Sequence, residues 1–348
     1  MKVLLWHVHG SYTTALVQGD HEYLVPVTPD RGPDGRGRAR TWDWPPSVAE
    51  VTPAEAAAAD VDVVVLQRPT ELAGLVRTWL GGREPGRDVP AVYLEHTSPE
   101  GAVDGGMRHP AADRPDLTVV HVTHFNALFW ACGTTPTRVV EHGIVDPGYR
   151  YTGELARAAV VVNEAARRGR VTGTDLLPRM ARAAPLDLFG MGAGALAATP
   201  GIVGVEDLPQ DRLHTELARR RVYVHPIRWT SLGLSLLEAM HLGMPVVALA
   251  TTEVARAVPP EAGVVTNDLD EVDAALRRLV AEPEEAALMG KAAREAALAR
   301  HGLARFLADW DDVLGEAAAT GPRPGAGRRR GAGTPGALAG GIGRKGQP

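Results

Sequence analysis

The residue types best suited to chemistry cluster between positions 223 and 247, in the run YVHPIRWTSLGLSLLEAMHLGMPVV. An apolar strand delivers the chain to His225 and Pro226, a short loop holds Arg228 and Thr230, and Ser231-Leu232-Gly233 opens a helix. The first amides of a helix have no intrahelical acceptor and carry a partial positive charge, so such a turn binds phosphate. Gly233 has no side chain to block close approach of the backbone. Glu238 lies about one and a half turns further in, among Leu234, Leu236, Leu237 and Met240. A carboxylate accepts hydrogen bonds on both oxygens, which suits a ribose diol. Ser231, Ser235, Glu238 and His241 also fall at helical spacing, and taken alone they read first as a plain solvent-facing stripe.

Four other groups qualify as candidates. Arg167, Arg168 and Arg170 follow an apolar run at 160–162; guanidinium pairs with phosphate, though a basic run is equally a solvated turn. Gly190-Met191-Gly192 follows another apolar run and could pass near a ligand or form a plain turn. His96 stands where a strand ends, the place where open α/β sheets bind ligands. An imidazole there could polarise a hydroxyl near neutral pH, or be a capped structural histidine. His7, His9, Gly10 and Ser11 follow the first strand and could face an acceptor or a phosphate. His124 and His142 read as structural. No metal site is expected: Asp309, Asp311 and Asp312 fall on a terminal amphipathic helix and read as solvated.

The elements that must position these residues alternate. Apolar strands are expected at 3–6, 62–66, 91–94, 118–122 and 138–141, then again at 159–163, 186–190, 201–205, 222–225 and 246–249. Helical stretches are expected at 71–80, 126–132, 175–183, 210–219, 234–241, 270–282, 283–300 and 303–315. Strands alternating with helices mean βαβ units and a parallel sheet. Residues 28–47, rich in Pro, Gly and Arg, read as a long surface loop. The rhythm restarts after residue 150, and 348 residues suit two α/β domains. The expected division is 1–150 for the first and 151–302 for the second. Residues 318–348 hold almost no large apolar side chain, so they read as a disordered tail with a solvated Arg328-Arg329-Arg330 run.

A net charge of -5 gives no global attraction to nucleic acid or an anionic membrane. The single cysteine, Cys132, excludes a disulfide framework. The N-terminal apolar run is too short and too polar for a signal peptide, and no run reaches the ~20 residues of a membrane span. A soluble, cytoplasmic protein is the expectation.

The 230–247 segment resembles the donor-site signature of retaining GT-B glycosyltransferases of family 4, E-G-F-G-L-x-x-L-E-A-M-A-x-G-x-P-V-V. The match runs through Gly233, Leu234, Leu237, Glu238, Ala239, Met240, Gly243, Pro245, Val246 and Val247. Residues 167–177 are similar to that family's R-x-x-x-x-K-G-x-D-x-L segment. His142-Gly143 is similar to its Asn-Gly at the end of the first domain. The likeness is clear over about 155–260 and diffuse over 1–150. It implies a GT-B fold: two Rossmann-like, doubly wound parallel-sheet domains facing across a cleft. The second would bind a nucleoside-diphosphate sugar, and the first a hydroxyl acceptor. A last helix over 303–316, with Phe306 and Trp310, would cross back onto the first domain.

The same resemblance implies roles. Glu238 would hold the ribose, and Ser231, Leu232 and Gly233 would offer backbone to the diphosphate and sugar. Arg167 would pair with the diphosphate, Gly190 would lie near the donor, and His96 would face the donor sugar. His9, Gly10 and Ser11 are left for the acceptor. Transfer would proceed with retention, without metal, and with no cofactor beyond the nucleotide-sugar co-substrate. Two positions depart from the pattern: Thr230 stands at the first Glu and Thr172 at the Lys. Thr230 could still bond a sugar hydroxyl, and Arg170 or Arg168 could replace the missing charge. Two alternatives stay open: a nucleotide-sugar epimerase or hydrolase, and a non-catalytic nucleotide-sugar binder. An NAD-dependent Rossmann enzyme is disfavoured, because the loop after the first strand lacks G-x-G-x-x-G.

Overall fold

Strands apolar on both faces must be covered on both faces, and that requirement sets the architecture. The structure, a computed structural model, describes residues 1–103 and 105–322. Its first sheet contains β1 (Lys2–Leu5), β2 (Glu22–Pro26), β3 (Val48–Val51), β4 (Val63–Leu66), β5 (Ala91–Glu95), β6 (Thr118–His121) and β7 (Thr137–Val139). Its second contains β8 (Leu155–Val161), β9 (Leu186–Phe189), β10 (Ile202–Val205), β11 (Arg220–His225), β12 (Val246–Ala248) and β13 (Gly263–Val265). The spatial orders are β3-β2-β1-β4-β5-β6-β7 and β10-β9-β8-β11-β12-β13. All pairings are parallel, as in Val3 opposite Val63 and Tyr223 opposite Val246. Both sheets are doubly wound, and each reverses direction beside its first strand, between β1 and β4 and between β8 and β11. Loops leaving the strand ends diverge at these switch points and open a crevice.

Helices cover both faces of each sheet. The helix Leu303–Thr320 belongs to the first core although it comes last in the chain: Phe306, Trp310, Val313 and Leu314 pack with Val3, Leu5, Val65 and Leu94. Trp310 Nε1 donates to the Tyr12 hydroxyl at 2.9 Å, and the Tyr12 ring meets Phe306 edge-on. The chain passes between the sheets near Ile144 and returns at Gly302. The two crossings touch, with Ile144 N donating to His301 O at 3.0 Å. Gly143 has no side chain for a steric reason, since a Cβ there would overlap the Phe306 ring.

Several elements differ from the expectation. Strands β2, β3 and β13 and the helices Pro53–Ala58 and Ala165–Thr172 had no counterpart in the sequence pattern. β3 and β13 are edge strands of four and three residues, too short to show a period. The expected helix at 71–80 is broken at Gly74, whose φ is 137°. The final helix runs past 315–316 to Thr320 and takes in the first residues assigned to the tail, because Ala317 and Ala318 still pack on the first core. The rest of that tail, from 323 onward and including Arg328-Arg329-Arg330, lies outside the described residues. Among the described residues no helix is long and apolar enough to cross a membrane.

Trp310 ties the end of the chain to its beginning. Trp310→Ala should therefore lower stability by about 3–5 kcal/mol, read as a lower urea midpoint with an unchanged slope. Leu288→Ala, at a 71% exposed position, should stay within about 0.5 kcal/mol.

Candidate functional site

The two switch points face each other across a cavity of about 600 Å³. Its wall takes His9, Gly10, Ser11 and Trp42 from the first domain, and Arg168, Thr172, Gly190, Thr230, Leu232, Gly233 and Glu238 from the second. A smaller cavity of about 420 Å³ continues from Ser11 and Glu238 toward Ile144 and Asp146.

Glu238 sits inside the helix Leu234–Leu242, which Gly243 ends in the left-handed conformation at φ 89°. The side chain points into the cleft and is only 6% exposed. Ser11 Oγ donates to its Oε1 at 3.1 Å from the opposite domain, and His214 Nε2 lies 3.5 Å from its Oε2. The stripe at helical spacing therefore faces inward. Ser235 shares a hydrogen bond with the buried Tyr223 hydroxyl at 2.9 Å, and His241, fully buried, bonds the Leu237 carbonyl. The helix has no side-chain cap at Gly233, so its first amides remain available at the cavity wall. A Cβ on Gly233 would come within 2.6 Å of the His225 ring, so the glycine is needed for packing as well as for close approach.

The residues between His225 and this helix separate into two roles. Thr230 lines the cavity. Ser231 lies outside its wall and instead donates to the His96 carbonyl at 2.8 Å, across the cleft. Trp229 also reaches across: its indole N–H donates to Pro99 O at 2.9 Å and its ring meets Phe125 edge-on. Arg228 is held by both oxygens of Asp175.

The basic segment is a helix, Ala165–Thr172, kinked at Gly169 where φ is 33°. Arg167 and Arg170 lie outside the cavity wall. Arg167 is 73% exposed and pairs with Glu164, and Arg170 is 82% exposed with Asp175 as its distant partner. Arg168, just before the kink, and Thr172, after it, line the cavity. Of the three arginines named from the sequence, Arg168 is thus the one on the cavity wall. Gly190, at φ 127°, also lines the cavity, where a Cβ would meet the Val162 carbonyl at 2.6 Å.

On the first domain, Gly10 opens the helix Gly10–Leu16, and a side chain there would overlap the Trp42 ring. Trp42 comes from the 28–47 loop, which carried no functional expectation; the one signal was an aromatic residue in a polar, turn-rich stretch. His96 follows β5 directly. Its ring lies 4.1 Å from that of His9 and 4.6 Å from Tyr12, and its Nε2 is 3.0 Å from Gln67 Oε1. Burial, with His9 and His142 nearby, holds its pKa well below 6.5. Burial brings His9 down to about 4, helped by Arg36 and His7, and brings His142 and His225 to about 3. These imidazoles are neutral at pH 7. Cys132 is buried and its thiol is pushed up to about 11, so it is not poised as a nucleophile. Among the described residues no three His, Cys, Asp or Glu side chains gather into a cation site.

Two doubly wound parallel-sheet domains, facing across a cleft and tied by a returning C-terminal helix, define the GT-B fold. Residues 203–296 match the family described as Glycosyl transferases group 1. That segment holds Thr230, Gly233 and Glu238. Among solved structures, the chain is similar to sucrose-phosphate synthase from Thermosynechococcus elongatus, at 15% identity and a TM-score of 0.67 over 92% of this chain and 99% of that one. It is similar to HepE of Anabaena in complex with UDP, at 15% identity and a TM-score of 0.63 over 91% of this chain and 100% of that one. It is also similar to a glycosyltransferase involved in avilamycin A biosynthesis, at 17% identity and a TM-score of 0.58 over 92% and 98% of the two chains. No curated protein sequence matches the chain.

The buried histidines give the fold a pH limit. Below about 6.5 the unfolded chain takes up protons that His9, His142 and His225 refuse in the folded state, so their contribution is complete above that pH. It is lost as pH falls toward their folded values of about 4 and 3. The urea midpoint should hold between pH 7 and 8 and fall steadily from pH 6.5 to 4.5. A flat profile over the lower range would contradict this.

Proposed function

We propose that the protein transfers a sugar from a nucleoside-diphosphate sugar to a hydroxyl acceptor, with retention and without metal. The observation that carries the reading is the buried carboxylate of Glu238 at the cleft, within the helix whose uncapped first turn meets the same cavity. The residues divide the work by chemistry. Glu238 accepts both hydroxyls of the ribose. The helix amides after Gly233 and the guanidinium of Arg168 face the diphosphate and stabilise the charge that grows on it as it departs. Thr230 bonds a sugar hydroxyl. His96, neutral and beside His9, lies near the reacting carbon and accepts a hydrogen bond there. His9, Gly10 and Ser11 form the opposite wall, where the acceptor enters. In this reading residues 1–150 bind the acceptor, residues 151–302 bind the donor, and the protein works in the cytoplasm with no cofactor beyond its co-substrate. UDP-sugars are the first donors to test, given the UDP complex of the Anabaena neighbour.

A second reading, nucleotide-sugar binding without transfer, is favoured by Thr230 and Thr172, neutral at positions where the resembling family carries charge. It predicts donor binding but no turnover with any acceptor.

A thermal-shift screen of UDP-, GDP-, ADP- and TDP-sugars should single out one nucleotide by its stabilisation. Glu238→Ala should then weaken that nucleotide by about 1.5–3 kcal/mol, the loss of hydrogen bonds to a charged group, or roughly ten- to a hundredfold. Arg168→Ala should weaken it by about tenfold, and Arg167→Ala by less than about twofold. Equal effects at the two arginines would remove Arg168 from the phosphate site.

A further inference from the structure

Gln67 is the first residue beyond β4 and is buried, one strand away from His96. Its side-chain amide has no freedom to turn. Nε2 donates to the Trp6 carbonyl at 2.7 Å, and the Gln67 backbone N–H is held by Glu71 Oε2 at 2.6 Å. Glu71 is itself fully buried and braced by Arg68 Nε. A backbone carbonyl only accepts hydrogen bonds, so the amide nitrogen must be the atom that faces Trp6. The amide oxygen is thereby turned toward His96 Nε2 at 3.0 Å. That oxygen also only accepts, so the hydrogen must sit on His96 Nε2. A neutral imidazole protonated at Nε2 has its free lone pair on Nδ1.

We infer that Gln67 is a positioning residue: through the Trp6 carbonyl it fixes His96 as the Nε2–H tautomer, leaving Nδ1 as the ring's acceptor toward substrate, beside the cavity-wall residue His9. The use of Nδ1 on substrate rests on the transferase reading; the tautomer does not. The groups that face His96 agree with it. His9 and Tyr12 press on the ring from the β1 loop and the helix after it, and His142 stands beyond Tyr12. None of the three is a carboxylate that would hold a second proton on the ring. Imidazole orientation set by such a partner is worth about ten- to a hundredfold where it has been measured at metal sites.

The test uses the full-length, ligand-free protein labelled with 15N-histidine, with His96 assigned by comparison with His96→Gln. Two-bond 1H–15N correlations should report a hydrogen on Nε2 and a bare Nδ1 in the wild type. Gln67→Met, similar in length but unable to accept from a ring nitrogen, should give a mixture of tautomers. It should also lower kcat about ten- to a hundredfold while donor KM moves less than about threefold. Gln67→Glu keeps an acceptor oxygen, so the tautomer persists. Its charge raises the His96 pKa, and the acid limb of kcat/KM should move to higher pH. A hydrogen on Nδ1 in the wild type, or an unchanged tautomer in Gln67→Met, overturns the inference. The wild-type spectrum needs no variant to fold. A wild type with the expected tautomer but no transfer to any acceptor would remove the transferase reading and leave the tautomer assignment intact.

Discussion

A carboxylate taken out of water must find hydrogen bonds in the protein or lose its charge. Glu238 is such a group, and the site is arranged around it. It lies too deep to be solvated freely, so Ser11 meets one oxygen from the opposite domain and His214 approaches the other. The rotation of the helix Leu234–Leu242 is set by Leu236 and Met240, fully buried in the second core on the side away from Glu238. With the face fixed, the uncapped first turn at Gly233 also falls on the cavity. The buried carboxylate and the uncapped turn thus share one wall of the cavity.

The second domain meets the first through polar contacts as well as apolar ones: Leu234 packs against both cores and the Trp229 ring meets Phe125. Ser231 reaches the His96 carbonyl, Trp229 reaches the Pro99 carbonyl, and the Phe125 amide is met by Glu253. The two bonds to carbonyls are each worth about 0.5–1.5 kcal/mol net, and the one to the Glu253 carboxylate about 1.5–3 kcal/mol.

How much of this was legible in the sequence depended on the kind of signal. The parallel two-domain architecture and the helix bearing Glu238 follow from apolar runs long enough to show a period, whereas the return of Phe306 and Trp310 to the first core was implied by the family resemblance alone. The edge strands β3 and β13 were hidden because three or four half-buried residues carry no period. At the site, the sequence carried residue type but not orientation. The 167–170 run was recognised as basic, but no helix was assigned to it, and the kinked helix leaves Arg168 on the cavity wall and Arg167 and Arg170 exposed. Ser231 was recognised as lying at the turn, while its bond to the His96 carbonyl depends on the approach of the other domain. Trp42 and Gln67 are placed entirely by tertiary structure: one by a loop folding over Gly10, the other by the neighbouring strand's carbonyl.

The paired crossings at Ile144 and Gly302 constrain how the molecule can move. Two covalent connections that touch at one point act as a pivot, so any separation of the domains is a rotation about that point rather than a translation. The smaller cavity links Ile144 to Glu238 and Ser11, which puts the carboxylate near the pivot, where the arc of travel is short. Whatever meets Glu238 would therefore be among the last groups to feel the two lobes swing apart.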